Sequence, residues 1–318
     1  MEQEIQVTFL GDVALDEYYS APYFPKLKEK ILVKTLPAQM GGMIANAACT
    51  FASYGTKPAF LAALNEGAVS QRLCANLNEC GVDTQIVWDN ALPDSKTIII
   101  LAEDEHTIFI PTMGIETIEL SEEAVQKLCA SQYLYSTFCE LRPIRCGEKN
   151  VLAVLEDIVK SGCKLWCDLD VAEIEDTDEA MFRFVDTLFI NEMGLESLTK
   201  RAQGEAAQWL FDKGIQTIVV TLAENGCTVL QADGTSVSVD GIQVPVVDVT
   251  GAGDTFCSSF LYASLHSKDV RLCAEFANFA AAQAVTKMGA RSGAVGSKAV
   301  LDFIAVQGGD IVRFAPFA

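Results

Sequence analysis

Positive charge is scarce in this chain. Lysine and arginine together number 23 against 43 acidic residues, a formal net charge of −20 over 318 residues. A nucleic-acid binder needs a positive face to neutralise phosphates, so the composition argues against that partner. A small phosphate-bearing ligand is not excluded, because a few backbone amides and Mg2+ can meet its charge. Histidine is nearly missing: only His106 and His266 occur, and neither stands beside a cysteine. The spacing of a zinc site is therefore not present. Apolar runs stop short of the roughly 20 residues that cross a bilayer. The start, Met1-Glu2-Gln3-Glu4, lacks the basic residues of a secretory signal. No internal repeat or low-complexity tract occurs. Together these absences predict a soluble, cytoplasmic protein with neither a membrane nor a nucleic-acid partner.

Cysteine, by contrast, is plentiful. The 11 are scattered and odd in number, which fits a reducing compartment and buried thiols better than a disulfide framework. Half the residues are hydrophobic, enough for a large core and too many for a disordered chain. Strand-like patterns at residues 5–10, 57–64, 133–138, 164–168, 187–192 and 216–221 alternate with helical ones at 70–80, 121–129, 151–161 and 272–287. That alternation predicts an α/β fold around a doubly wound, mostly parallel sheet with helices on both faces. Runs 96–101 and 107–110 flank Glu103-Asp104-Glu105, which reads as a hairpin tip. Residues 18–39, interrupted by Ala21-Pro22 and Phe24-Pro25, read as a broken strand pattern.

The most informative stretch is Asp248-Val249-Thr250-Gly251-Ala252-Gly253-Asp254-Thr255-Phe256. It follows a strand-like apolar run, 242–247, broken only by Pro245, and leads into a helix-period segment, 256–263. Small residues at Gly251, Ala252 and Gly253 let successive N–H groups converge at a helix N-terminus, which makes an anion cradle. Asp254, in the first turn, would repel a phosphate there. A carboxylate so placed fits the task of taking a proton from a hydroxyl that attacks the phosphate. The plainer reading is a glycine-rich turn with a helix-start acid. A dinucleotide turn fits less well, since the spacing is not G-x-G-x-x-G and the stretch lies late in the chain. Upstream, Gly11 ends the first strand and is followed by Asp12 and Asp16. Each can accept hydrogen bonds from adjacent hydroxyls, or be a turn acid. Gly41-Gly42 open a small-residue helix with Asn46 one turn in, both donor and acceptor. Arg142 and Arg145 follow a strand end and read either as anion contacts or as a solvated loop.

The stretch from Asp248 to Phe256, with Gly41-Gly42 and Asn46 far upstream, resembles the ribokinase-like (PfkB) family of carbohydrate kinases over roughly residues 10–293. The resemblance implies a single ribokinase-like α/β domain over 1–318, with a small β-sheet lid from 13–40 and 96–115. Such a lid shuts water away from the transferred group. It also implies ATP-dependent phosphorylation of a hydroxyl on a sugar or sugar-like polyol, by in-line transfer. Asp254 would be the base and Gly251, Ala252 and Gly253 the anion hole. Asp12, Asp16, Gly41, Gly42 and Asn46 would hold the sugar. ATP and Mg2+ would fall to Asn191, Glu192, Thr221, Gly226 and Asn278, the last beside the adenine. A K+ ion, present in many members, would lie among Asp248, Thr250, Ala284, Gly289 and Gly293. Lid strands with exposed edges often pair between subunits in this family, so the resemblance points to a homodimer through the lid.

Several positions depart from the family pattern. Asn65-Glu66-Gly67 stands where Gly-x-Asp is usual. Gly194 occupies the place of the glutamate in Asn-x-x-Glu, which leaves Mg2+ to Glu192, Glu196, or mainly ATP and water. Ala223 replaces the first glycine of Thr-x-Gly-x-x-Gly, a change that a negative φ would tolerate. The acceptor stays open among ribose, fructose, a ketohexose derivative, a deoxy-keto acid, and a nucleoside or vitamin precursor. Few basic residues lean against a phosphorylated acceptor. A non-catalytic sugar or nucleotide sensor on the same fold is the other class. The altered positions 194 and 223 favour it; Asp254 opposes it.

Overall fold

A computed structural model describes residues 6–103, 105–169, 174–201 and 205–318. Among these residues, nine strands form the main sheet. Val7–Leu10 is flanked on one side by Ala59–Leu64 and then Asp83–Trp88. On the other side follow Tyr133–Thr137, Lys164–Leu169, Val185–Asn191 and Thr217–Thr221, all parallel, and then Cys227–Gln231 and Ser236–Val239, antiparallel. The inner strands are near-continuous apolar runs because both faces are covered. Val7, Phe9, Leu188 and Ile218 are fully buried. One apolar cluster joins the helices Met43–Ser53, Ala252–His266 and Val270–Ala284 to one face of the sheet. A second joins Glu122–Ala130, Val151–Lys160 and Ala206–Asp212 to the other. All eleven cysteines are free thiols. Among the described residues, no helix is long and apolar enough to cross a membrane.

A second sheet is set apart from the first. It pairs Ala14–Ser20 with Lys34–Thr35, Gln39–Gly41 and, in parallel, Lys96–Ala102, which pairs in turn with Glu105–Phe109. Asp104, at the predicted hairpin tip, lies outside the described residues. Asp16 is therefore a strand residue, not a turn acid: it pairs with Gln39 and with Thr97. The outer strand Glu105–Phe109 is exposed along its length, as are Phe24, Leu27 and Ile110.

Two sequence expectations fail in instructive ways. Residues 242–247 form no strand, and Val246 and Val247 are exposed. Pro245 offers no N–H to a ladder, and the amides of Val247 and Asp248 go instead to the Val285 carbonyl. Arg142, read as an anion contact or a solvated loop, is tied to acids of the chain itself. Its guanidinium holds Asp178 through Nε at 2.7 Å and Nη2 at 2.5 Å, and meets Glu175 at 2.8 Å. Asp178 is buried, so this pair fastens the helix Asp176–Met181 to the chain. Arg145 is exposed on the short strand Ile144–Cys146.

Candidate active site

Glycine geometry builds the cradle. Gly251 caps the helix Ala252–His266 at φ 76°, and a Cβ there would sit 1.9 Å from the Ala290 carbonyl oxygen. Only glycine fits both the left-handed backbone and the close approach. Gly293 packs in the same way, its missing Cβ replaced by Thr255 Oγ1, which would lie 2.1 Å away. Gly253 differs: a Cβ there would meet nothing within 4 Å, so it faces open space at the helix start. The three candidate cradle amides are not equivalent, because Ala252 turns its N–H back to the Val249 carbonyl at 3.2 Å. Ala252 thus contributes shape rather than a donor. Asp254 lies in the first helical turn beside this opening.

Asp254 faces a residue more than two hundred positions away. The Asn46 side-chain amide donates to Asp254 Oδ2 at 2.8 Å. Small residues make this possible. Ala47 and Ala48 on one helix and Ser258 and Ser259 on the other are almost fully buried. Ser258 Oγ donates to the Ala47 carbonyl at 2.7 Å. Larger side chains there would push the helices apart and open the Asn46–Asp254 gap.

The other acids take distinct environments. Asp12 accepts from the amides of Met43 and Ile44, both at 3.0 Å. It caps the helix Met43–Ser53 in place of the capping side chain that Gly42 lacks. Gly42, at φ 94°, would drive a Cβ to 2.6 Å from Val13 Cα, so the chain turns tightly around Asp12. Asp16 is 6% exposed. Burial raises its pKa to about 6, helped by the Asp12 charge and opposed by a Thr97 hydrogen bond and Arg291. It lies against Gly41, where a Cβ would meet its Oδ2 at 2.0 Å. Glu140, which the sequence reading passed over, joins them. It sits in the first turn of the short helix Phe138–Leu141, right after a central strand, against Gly11. Burial pushes its pKa up to about 8, with Asp12 adding to the shift. The available signal was its place at a strand's C-terminal end, where α/β ligand sites form.

On the opposite side, Asn191 and Thr221 end adjacent parallel strands and are paired in register. Asn191 Oδ1 accepts from the Gly194 amide at 2.8 Å. A Cβ at Gly194 would meet Ile190 at 2.9 Å, so this turn has little room for a side chain. Glu192 and Glu196 are exposed on the helix Glu192–Arg201. Ala223 sits at φ 49°, against the negative φ that would have suited it. The loop still closes, with the Leu222 amide donating to the Gly226 carbonyl at 2.8 Å. Gly226 needs its φ of 96°, since a Cβ would fall 2.1 Å from the Val239 carbonyl. Asn278 is buried and donates to the Asp240 carbonyl at 3.1 Å, tying its helix to the loop that leads to the cradle.

Burial raises the pKa of Asp248, but the Thr250 and Gly289 amides, each at 2.9 Å, hold it below the ordinary value. This carboxylate staples the segment before the cradle to the closing loop. The Ala284 carbonyl already accepts from the Lys287 amide at 3.1 Å and Ser292 Oγ at 3.0 Å. Both its lone pairs are engaged, so a K+ ion at this position would share the carbonyl with two donors. Among the described residues, no group of three or more His, Cys, Asp or Glu stands ready for a metal.

The comparisons agree with this architecture. A Haemophilus influenzae ribokinase is 27% identical over 307 residues, 94% of this chain and 98% of that protein. The structure of an Arabidopsis thaliana ribokinase complexed with ribose and ATP aligns at TM-score 0.80 and 23% identity, over 96% of this chain and 99% of that one. A Xylella fastidiosa fructokinase with bound ATP aligns at TM-score 0.78 and 18% identity, over 96% and 100%. The two structural likenesses speak to the fold. The model of the pfkB family carbohydrate kinases matches residues 6–295, and on that match the chain belongs to this family of ATP-dependent sugar kinases.

Proposed function

We propose that this protein transfers the γ-phosphoryl group of ATP to a hydroxyl of a neutral sugar or sugar-like polyol, with Asp254 as the base. The observation that carries the reading is the 2.8 Å contact from Asn46 to Asp254. It puts a hydroxyl-binding amide on one helix beside a carboxylate at the anion cradle of another. An acceptor hydroxyl between Asp16, Gly41 and Asn46 would lie next to the proton acceptor and the developing phosphate charge at once. Gly251 and Gly253 shape that anion site. Asn191, Thr221, Gly226 and the helix of Asn278 would hold ATP, and Mg2+ bound with it would neutralise charge on the phosphates. The geometry gives no reason to route a step through K+.

The second sheet is the lid in this reading. Its exposed apolar residues Phe24, Ile108, Phe109 and Ile110 favour pairing of two lids in a homodimer. A solution molar mass of one chain at micromolar concentration overturns the dimer and leaves the chemistry untouched. The test of the chemistry is a coupled ADP-release assay over ribose, fructose, other ketohexoses, a deoxy-keto acid and nucleosides. ADP release with at least one acceptor is expected. Saturable acceptor binding with no ADP from any of them would mark the chain as a sensor.

A further inference from the structure

The wall that faces the acceptor contains a cation the reading above leaves without a role. Arg291 is half-buried in the loop after the helix Val270–Ala284. Its Nε donates to Asn46 Oδ1 at 3.1 Å, and its Nη2 to the Gly41 carbonyl at 3.1 Å. Its Nη1 donates to Asn76 Oδ1 on the helix Ala68–Glu79. One planar group thus ties three elements of the acceptor wall together, a task for which guanidinium geometry suits and an ammonium does not.

Asn46 lies between Arg291 and Asp254, its oxygen toward the first and its nitrogen toward the second. A guanidinium only donates and an ionised carboxylate only accepts. Both neighbours therefore demand the same orientation of the amide. A flipped Asn46 would set donor against donor and acceptor against acceptor. Asn46 is 5% exposed, so water is poorly placed to repair the mismatch.

We infer that Arg291 is a positioning residue for phosphoryl transfer: it locks the Asn46 amide so that its NH2 holds the Asp254 carboxylate, and it ties the Gly41 carbonyl beside Asp16 into the same unit. The role in catalysis rests on Asp254 being the base; the lock on Asn46 does not.

The experiment compares R291A, R291K, N46A and R291A/N46A, using the panel sugar that the wild-type chain phosphorylates fastest. R291A should lower kcat and raise the sugar KM, about 100-fold together in kcat/KM, because a misplaced hydroxyl forfeits that much. The ATP KM should stay within about twofold, and R291K should recover little. Because the two residues act as one unit, R291A/N46A should fall within about threefold of the worse single variant. Added methylguanidinium should restore R291A and not the double variant. Wild-type kcat/KM in R291A, multiplying losses in the double variant, or rescue of the double variant each overturn the proposal. Should R291A fail to fold, R291K is read by 15N NMR of the Asn46 side-chain amide, assigned by its loss in N46A. A shifted, faster-exchanging pair supports the lock, and an unchanged pair overturns it. D254N separates the two readings. If it keeps turnover, the base assignment falls, while the sugar KM and the Asn46 resonances still judge the lock.

Discussion

On the acceptor side of the site, Asp16, Asn46 and the small residues beneath them are buried, and Arg291, Asn46 and Asp254 form one hydrogen-bonded chain. On the proposed nucleotide side, Val246, Val249 and Met193 are 63%, 58% and 73% exposed, and Glu192 and Glu196 stand in solvent. The proposed acceptor wall is buried and cross-linked by hydrogen bonds. The nucleotide wall offers strand ends, glycine turns and uncovered apolar surface. Recognising hydroxyls needs donors and acceptors held to fractions of an ångström, which burial and cross-linking supply. A nucleotide carries its own charge, its Mg2+ and a flat base, so it tolerates a looser wall. Changes on the buried side should therefore cost far more than changes on the open side.

The largest effect belongs to D254N. Turnover should fall by about 10³-fold, the scale of a lost general base, with ATP affinity by calorimetry within a factor of a few. More than a tenth of wild-type activity would remove Asp254 from the mechanism. Next is G251A, whose Cβ cannot coexist with the Ala290 carbonyl. It should destabilise the fold by about 2–3 kcal/mol in denaturant titrations and leave almost no activity. A stable, active G251A would mean the cradle is not where the loop packing places it.

A third test uses pH. Asp16 has a pKa raised to about 6 by burial. For an acid, a folded value above the unfolded one means the protonated form favours folding. Stability from this group is present below about pH 4 and is lost as pH rises through about 6. D16N should therefore be more stable than wild type at pH 7.5, by about 1–3 kcal/mol, and the gap should close toward pH 4. Binding runs the other way. Protonation removes the charge of Asp16 and turns one of its acceptor positions into a donor, so the wild-type sugar KM should rise as pH falls through about 6. A sugar KM flat from pH 5 to 8 would place Asp16 away from the acceptor. The smallest effect is on the open side. A223G relieves the left-handed φ at position 223 and should add about 0.5–1 kcal/mol, partly offset by unfolded-state entropy, with kcat unchanged. A large loss of activity in A223G would break the contrast between the two walls.

Much of the site was legible because local chemistry betrays it. Glycines 251 and 253 beside Asp254 announced a helix start with convergent amides, and Gly41-Gly42 announced a tight approach. Other features had no local signature. Asp12, read as a hydroxyl binder or a turn acid, caps a helix that begins thirty-one positions later. Arg142 looked free and is held by Asp178. The run 242–247 had the composition of a strand but no neighbour to pair with. Glu140 follows a strand end and Arg291 lies between Gly289 and Gly293, but their partners come from distant segments, so neither position revealed a role.

From sequence alone came the layered α/β order, the family likeness and the cradle, because strand periodicity, glycine backbones and helix-start acids are set by neighbours along the chain. Only the tertiary structure decided which acids are buried, which are caps, and which residue holds Asn46 against Asp254. Those outcomes depend on desolvation and on hydrogen bonds between segments up to 250 positions apart, which no local pattern encodes.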